Sequence, residues 1–270
     1  MRESSPARSG PRTALVTGAS AGIGASFARL LAKRGYGLLL VARRAERLEK
    51  LAADLTGRHG VRCEVFAADL TDPTAPAAVI DHATTRGLSI DVLINNAGLS
   101  GHGAFADTAW QDLAAQIQLM VSTPTELIHR VVPGMKDTGW GRIVNLSSLA
   151  AFAPPAASLL YTGIKSYLLN TSQALDMELK PHGIHVTALC PGFTHSEFHD
   201  VMGTRGQADR LPKILWQRPE HVVTEGWTAV TRGKPVCVPG TVNKISAAAM
   251  KPLPTRLAYT LGRALNPFKD

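Results

Sequence analysis

Short apolar runs alternate along the chain with longer segments in which apolar residues recur every third or fourth position. The run from Leu38 to Val41 is apolar throughout. In the segment that follows, leucines recur three and four apart, at Leu48, Leu51 and Leu55. Continuous apolar runs predict strands buried on both faces, and the wider spacing predicts amphipathic helices. The alternation therefore predicts a parallel sheet covered by helices on both faces.

The predicted elements follow one another in a strand-helix order. Strands are predicted at Ala14–Val16, Leu38–Val41, Cys63–Ala67, Val92–Ile94, Arg142–Leu146 and His185–Leu189. Helices are predicted over Gly22–Arg34 and Ala45–Arg58, from Pro73 onward, from Trp110 toward His129, and over Tyr161–Lys180. Right-handed crossovers between such strands give a single-domain, Rossmann-type, doubly wound α/β fold.

Three regions of the chain differ in composition. Residues 1–11 are rich in Ser, Pro and Arg and are expected to be a disordered lead-in, whereas residues 12–240 are expected to form the folded domain. Within it the periodicity fades over about residues 194–219, so a loop that covers a substrate and an ordinary surface loop both remain open. Residues 241–270 are expected to be an extension that packs on the domain rather than a helix on a membrane surface.

Composition argues against several classes of protein. Lys and Arg number 29 against 21 Asp and Glu, a formal charge of +8, but the cations are scattered. Without a helix-turn-helix, zinc-finger or basic-aromatic pattern, we interpret this charge as a solvated surface and expect no nucleic-acid partner. Binding to nucleic acid or to an anionic membrane surface stays the alternative that the charge supports. No apolar run approaches the roughly 20 residues that span a bilayer, so no integral membrane segment is expected.

Cysteines and histidines show no ligand pattern. Cys63, Cys190 and Cys237 are odd in number, far apart and set in strand-like runs, which favours buried free thiols. A reducing, cytoplasmic location fits such thiols. His195 and His199 are four residues apart but lack the surrounding residues of a zinc motif, so no metal site is expected.

A glycine-rich turn joins the first predicted strand to the first predicted helix. It runs from Thr17 to Gly24 with the sequence TGASAGIG. Glycine permits a sharp turn and a close approach of the backbone to a pyrophosphate, and the helix N-terminus offers N–H groups to that anion. In this strand-turn-helix context the turn predicts a dinucleotide-binding site.

The end of the second predicted strand indicates which dinucleotide binds. Ala42, Arg43 and Arg44 stand where an acidic residue would bind the ribose 2′-hydroxyl of NAD. Two guanidiniums hold a 2′-phosphate through charge-assisted hydrogen bonds. The pair therefore favours NADP(H), with two exposed arginines at a helix start as the alternative.

A tyrosine and a lysine lie one helical turn apart near the start of a predicted helix. Tyr161 and Lys165 share a face, and Ser148 lies 13 residues before the tyrosine, at the end of the fifth predicted strand. A phenol with a pKa near 10 is a poor base at neutral pH unless a cation lies close, and Lys165 and the positive nicotinamide of the oxidised cofactor can both lower that pKa. Together the three predict proton transfer to a reacting oxygen that Ser148 orients.

These motifs resemble those of the short-chain dehydrogenase/reductase family. The resemblance covers about residues 12–240 and rests on Thr17–Gly24, Asn95-Asn96-Ala97-Gly98, Ser148, Tyr161xxxLys165 and Pro191-Gly192. Finer features resemble a bacterial carbonyl-reducing or uncharacterised subgroup. The resemblance implies an oxidoreductase that transfers hydride between NADP(H) and a small-molecule carbonyl or alcohol, with Tyr161 as the general acid and base. It also implies a homodimer or homotetramer built on the helices near residues 110–130 and 161–180.

The resemblance assigns further residues to the cofactor. Asp69 and Leu70 are expected at the adenine, and Pro191, Gly192 and Thr194 at the nicotinamide. The catalytic set is then Ser148, Tyr161 and Lys165. The complete set expected to bind NADP(H) is Gly18, Ser20, Gly22, Ile23, Gly24, Arg43, Arg44, Asp69, Leu70, Asn96, Ala97, Gly98, Tyr161, Lys165, Pro191, Gly192 and Thr194.

One residue departs from the family pattern. Met120 aligns with an Asn that the family normally carries in the long helix before the fifth strand. In related enzymes that position goes with a local irregularity of the helix and a water that links the catalytic lysine to solvent. The departure supports an alternative function, a cofactor-binding protein with weak or no catalysis.

Overall fold

The computed structural model describes residues 10–99, 105–153, 160–195 and 216–250. Most of the predicted lead-in, most of the predicted substrate loop and the leucines beyond residue 250 lie outside these described ranges.

In the described part of the chain, seven parallel strands form one sheet. Their order is β3-β2-β1-β4-β5-β6-β7. The strands are β1 Thr13–Thr17, β2 Gly37–Ala42, β3 Cys63–Ala67, β4 Ile90–Asn95, β5 Gly141–Leu146, β6 Ile184–Leu189 and β7 Val236–Cys237. The predicted doubly wound α/β fold is confirmed, because the order reverses between β1 and β4 and every pairing is parallel.

Helices connect these strands. They are α1 Gly22–Ala32, α2 Ala45–His59, α3 Ala75–Thr85, α4 Trp110–Ile117, α5 Thr123–Thr138, α6 Tyr161–Leu179, α7 Pro219–Thr231 and α8 Thr241–Met250. The prediction that Pro73 begins a helix is wrong. The helix begins at Ala75, and Pro76 occupies its first turn, where the missing N–H removes no hydrogen bond.

The two faces of the sheet pack against different helices. Leu38 and Leu40 of β2 lie in a cluster with residues of α1, α2 and α7, which includes the fully buried Trp227. Leu39 and Val41 point the other way, into a cluster with residues of α3, α5 and α6. Since successive strand residues alternate between faces, a continuous apolar run fills both cores.

The long helix predicted from Trp110 is interrupted by a π-helical turn at Gln118–Ser122. In this turn the N–H of Thr123 bonds the carbonyl of Gln118, five residues back. Pro124 follows at once and has no N–H to give to the Met120 carbonyl, as a regular helix would require. The irregularity that the resemblance implied at Met120 is therefore present.

The three cysteines are free. Cys190 and Cys237 are buried as predicted, and burial raises their thiol pKa values to about 12 and about 11. Cys63 is only half-buried, since β3 is an edge strand of the sheet, so the prediction of burial is wrong for this residue.

Within the described ranges, no helix combines the length and apolarity needed to cross a membrane.

Candidate active site

The motif residues follow the carboxyl ends of five strands. Thr17 ends β1, Ala42 ends β2, Asn95 ends β4, Leu146 ends β5 and Leu189 ends β6. Because all strands are parallel, these ends meet along one edge of the sheet. The reversal of strand order between β1 and β4 opens a crevice at this edge, the usual ligand position in such folds.

Asn96 holds the glycine-rich turn in place. Its Nδ2 donates to the carbonyls of Thr17 (2.9 Å) and Gly18 (3.2 Å), and its backbone N–H donates to the Thr17 hydroxyl. A Cβ on Gly18 would lie 2.6 Å from this amide, and a Cβ on Gly24 would collide with the Gly18 carbonyl. Gly18 and Gly22 have φ values of 63° and 54°, which side chains disfavour.

The N-terminus of α1 faces this turn with its first N–H groups available. Ala21 precedes the helix in an extended conformation and offers no side-chain cap. A helix start of this kind, behind a turn that admits no Cβ at Gly18 or Gly24, fits a pyrophosphate. The residues present therefore fit the dinucleotide predicted from the sequence.

Arg44 lies beside the glycine-rich turn. Its Nε and Nη2 donate to Ser20 Oγ at 3.3 and 3.0 Å. Arg43 Nη1 lies 3.9 Å from Asp69 Oδ2, and both side chains are largely exposed. Hydrogen bonds from the backbone and hydroxyl of Thr71, together with Arg43, outweigh partial burial and lower the pKa of Asp69. Two cations and an ionised carboxylate therefore line the rim beyond β2 and β3, and Leu70, which follows Asp69 in the chain, is buried.

Ser148, Tyr161 and Lys165 converge beyond β5. Ser148 caps the 3-10 turn Leu149–Phe152 by accepting from the N–H of Ala150 (3.1 Å), and it also hydrogen-bonds Tyr161, the first residue of α6. Lys165 Nζ lies 5.3 Å from the centroid of the Tyr161 ring and donates to the Leu146 carbonyl (2.8 Å). The structure thus brings Tyr161 and Lys165, the pair predicted to move protons, together with Ser148, which is predicted to orient the reacting oxygen.

Burial governs the pKa values of this cluster. It raises the pKa of Tyr161, with the Ser148 hydrogen bond as a smaller opposing effect. It lowers the pKa of Lys165 to about 8. The sequence argument expected Lys165 and the positive nicotinamide of the oxidised cofactor to lower the pKa of Tyr161, and in the protein alone desolvation prevails. Tyr161 is therefore held as a neutral phenol that can donate a proton.

A small cavity lies beside Met120. It has room for about one water molecule and is lined by Thr17, Asn95, Ala97, Leu119, Met120, Thr123, Pro124, Leu146 and Leu168. Met120 is buried, and in the described part of the chain the acceptor Oδ1 of Asn95 is buried without a hydrogen-bond partner. A water-sized space, lined mainly by apolar side chains together with Thr17, Asn95 and Thr123, thus lies next to the residue that aligns with the family Asn. Pro124, four residues after Met120, is the sequence signal that marks this distortion.

The segment after β6 lies at the remaining side of the crevice. The Pro191 carbonyl accepts from the N–H of Leu149 (2.8 Å), which ties this segment to the Ser148 turn. Thr194 is buried, and its hydroxyl donates to the Gly192 carbonyl (3.1 Å). Thr194 also pairs with Gln217, which sequence reasoning did not single out.

Among the described residues, no three His, Cys, Asp or Glu side chains are grouped as metal ligands.

Comparison with known proteins agrees with this geometry. The short chain dehydrogenase family model matches residues 12–205. The chain belongs to the short-chain dehydrogenase family. It is 34% identical over 216 residues to oxidoreductase UcpA of Escherichia coli (strain K12), covering 79% of this chain and 78% of UcpA.

Two solved structures resemble this short-chain dehydrogenase over nearly its whole length. A short-chain dehydrogenase from Sphingobium yanoikuyae in complex with NADPH is 33% identical, with a TM-score of 0.78 and coverage of 96% of this chain and 98% of that chain. The bulky-bulky ketone specific alcohol dehydrogenase from Comamonas testosteroni is 30% identical, with a TM-score of 0.74 and 96% of each chain covered. Family membership makes the protein an oxidoreductase, and the contacts of individual residues with a cofactor stay predictions.

Proposed function

We propose that this protein is an NADP(H)-dependent oxidoreductase that interconverts a carbonyl compound and a secondary alcohol, with Tyr161 as the general acid and base. The observation that carries the proposal is the convergence of Ser148, Tyr161 and Lys165 at the sheet edge that also holds the glycine-rich turn. The same three residue types at unrelated places on the surface would have no such meaning.

Arg43 and Arg44 support the choice of NADP(H). Arg44 is hydrogen-bonded to Ser20 of the glycine-rich turn, so its guanidinium lies at the rim where the adenosine ribose is expected. Guanidiniums match phosphate oxygens in charge and geometry. The NADPH complex of the Sphingobium yanoikuyae relative agrees with this choice.

When bound, NADPH would supply a hydride from C4 of its nicotinamide ring to the carbonyl carbon of the substrate. The hydroxyl of Ser148 donates a hydrogen bond to the carbonyl oxygen of the substrate and holds it beside Tyr161. Tyr161 gives its phenolic proton to that oxygen as negative charge develops there. The ammonium of Lys165 then stabilises the tyrosinate, since it lies over the same ring. Alcohol oxidation runs the same proton path in reverse.

An apolar, bulky carbonyl compound is the proposed substrate class. Trp216 stacks on His195 with 4.7 Å between ring centroids and packs against Phe193 at 5.8 Å. These rings lie beside Thr194, at the predicted nicotinamide end, and Phe193 is partly exposed. A wall of rings favours apolar groups on the substrate. The bulky-ketone specificity named for the Comamonas testosteroni relative agrees with it.

Homo-oligomeric assembly in the cytoplasm is part of the proposal. Trp110 of α4 and Met177 of α6 are 68% and 76% exposed, on the helices expected to form the interface. Exposed large apolar side chains are typical of protein interfaces. The three free thiols fit a reducing compartment.

Met120 supports a second candidate, a protein that binds NADP(H) with little catalysis. Its thioether is a weak hydrogen-bond acceptor and cannot replace an Asn side chain in a proton relay. Retention of Ser148, Tyr161 and Lys165 favours the enzyme.

A panel of ketones, aldehydes and secondary alcohols, assayed with NADPH, NADH and their oxidised forms, tests the proposal. We expect reduction of apolar ketones with NADPH. Tight NADPH binding without turnover of any compound would favour the second candidate, and no binding of either cofactor would contradict both.

A further inference from the structure

The first turn of α8 contacts the segment that follows β6. Asn243 of α8 is 5% exposed, and its amide donates to Gln217 Oε1 (2.9 Å) and to the Pro239 carbonyl (3.0 Å). The same amide lies against Gly192, where a Cβ would come within 2.6 Å of Asn243 Oδ1 and 2.7 Å of Nδ2. One buried amide thus joins three segments that are far apart in sequence.

Gln217 carries this contact into the backbone at the predicted nicotinamide end. Its N–H donates to the Phe193 carbonyl (2.9 Å), and its own carbonyl accepts from the N–H of His195 (3.0 Å). Its side chain occupies the space beside Gly240, so that a Cβ there would collide with it, and Gly240 has a φ of 81°. Two glycines therefore make room for two amides. We call Gly192, Gln217, Gly240 and Asn243 the amide clamp.

Glu225 of α7 fixes the start of α8. Its Oε1 accepts from the N–H of Gly240 (2.9 Å), and its Oε2 accepts from Lys244 Nζ (2.8 Å). His221 Nε2 lies 2.8 Å from Oε1. Partial burial opposes ionisation, but these partners prevail and lower the pKa of Glu225. These contacts hold the residues on either side of Asn243, Gly240 and Lys244, and so fix the position of Asn243 against Gly192.

We propose that Asn243 is a positioning residue for the nicotinamide end of the cofactor site, acting through Gly192 and Gln217. The proposal rests on the proposed function, in which Pro191, Gly192 and Thr194 flank the nicotinamide. Hydride transfer depends steeply on placement, since a misplacement of about 1 Å costs on the order of a hundredfold in rate. The C-terminal extension thereby contributes to catalysis without contacting the reacting atoms.

Asn243→Ala tests the proposal through two ligands. NADPH uses both ends of the site, whereas 2′,5′-ADP carries the adenosine and the 2′-phosphate but no nicotinamide. We expect the Kd of NADPH to rise several-fold and kcat to fall by about tenfold or more, with the Kd of 2′,5′-ADP unchanged. Ser246→Ala is the matched control, because among the described residues its hydroxyl donates within α8, to the Val242 carbonyl.

A single and a double variant together test whether the amide clamp acts through Gly192. Gly192→Ala should produce the same selective loss, because its methyl group meets the Asn243 amide. Adding Asn243→Ala to Gly192→Ala should recover part of the NADPH affinity, since the second change vacates the space that the methyl group needs.

Three results would overturn the inference. The first is an Asn243→Ala variant that binds NADPH and 2′,5′-ADP equally more weakly and has a lowered Tm, which would mark Asn243 as a merely structural residue. The second is no change for either ligand or for kcat. The third is a wild-type protein that does not bind NADPH, which contradicts the proposed function as well. A wild-type protein that binds NADPH but turns over no carbonyl contradicts only the proposed reaction, and the two-ligand comparison still decides the role of Asn243.

Discussion

Lys165 lies over the ring of Tyr161, with its ammonium 5.3 Å from the ring centroid and donating to the Leu146 carbonyl at 2.8 Å. The lysine thus links the end of β5 to the helix that begins at Tyr161. Burial raises the pKa of the phenol and lowers that of the ammonium to about 8. Both shifts favour the neutral forms. Because the pKa of Lys165 is about 8, the free energy needed to move its proton to solvent is small near neutral pH.

Tyr161→Phe should nearly abolish turnover while folding and NADPH binding remain close to wild type. The substitution keeps the ring at the start of α6 and removes only the proton-donating hydroxyl. General acid–base catalysis contributes roughly a hundred- to ten-thousandfold, and a loss in this range is expected in kcat. Steady-state kinetics and NADPH titration on the same preparation measure it. Tyr167→Phe, a change on the same helix, is the control, and a near-normal rate in Tyr161→Phe would refute the assignment.

Carbonyl reduction should slow as the pH rises above about 8. The pKa of Lys165 lies at about 8 because the side chain is buried. Below that pH the ammonium is present and stabilises the tyrosinate left when Tyr161 gives up its proton, whereas above it the charge is lost. We expect kcat/KM for reduction to decline by up to about tenfold per pH unit above this value. Measuring the Kd of NADPH at each pH separates an effect on chemistry from one on binding, and a flat profile to about pH 10 would exclude the role.

NADPH should be preferred to NADH by at least about tenfold in kcat/KM. A hydrogen bond to a charged group contributes roughly 1.5–3 kcal/mol, and about 1.4 kcal/mol corresponds to tenfold. Arg44→Ala removes the guanidinium that lies on Ser20, so the preference should fall, mainly through a higher KM for NADPH. The same direction is expected for Arg43→Ala. Lys50→Ala, an exposed cation farther along α2, should leave the preference unchanged, and equal efficiency with both cofactors in the wild type would contradict the prediction.

The pattern of the sequence predicted the strands closely because β1, β2 and β4 are buried on both faces and therefore each contain a continuous run of apolar residues. The catalytic trio was predictable for a different reason. Tyr161 and Lys165 are one helical turn apart, so a local spacing determines their geometry. The start of α3 was predicted two residues too early. Pro73 and Pro76 both suit the first turn of a helix, and only the packing of the helix decides between them.

The amide clamp was beyond prediction from the sequence. Asn243 meets Gln217 and Gly192 through contacts that span 26 and 51 positions, and no periodic pattern encodes such meetings. The raised pKa of Tyr161 in the protein alone was also beyond prediction, because a motif shows which cation lies near a phenol but not how much water both groups lose on folding. Spacing specifies local geometry, whereas desolvation and long-range contacts depend on the completed fold.

Met120→Asn should increase turnover several-fold if the proton relay limits the rate. Met120 lines a cavity with room for about one water, together with Leu146, whose carbonyl receives Lys165 Nζ, and Asn95, whose Oδ1 is a buried acceptor. The π-helical turn and Pro124 distort the backbone here whatever the side chain at position 120, so a water held by backbone carbonyls would persist in the wild type. An Asn side chain adds a donor and an acceptor to that site, while Met120→Leu, the control, adds neither.

The measurement is turnover of the best substrate across pH for the wild type and both variants. A gain confined to Met120→Asn shows that proton supply limits the wild-type enzyme, and the solvent deuterium isotope effect on kcat should shrink along with it. An unchanged or lower rate at every pH would show that Met120 does not limit the relay. If neither the wild type nor Met120→Asn turns over any carbonyl or alcohol while both bind NADPH tightly, the cofactor-binding protein becomes the better description, because restoring the family Asn then restores nothing.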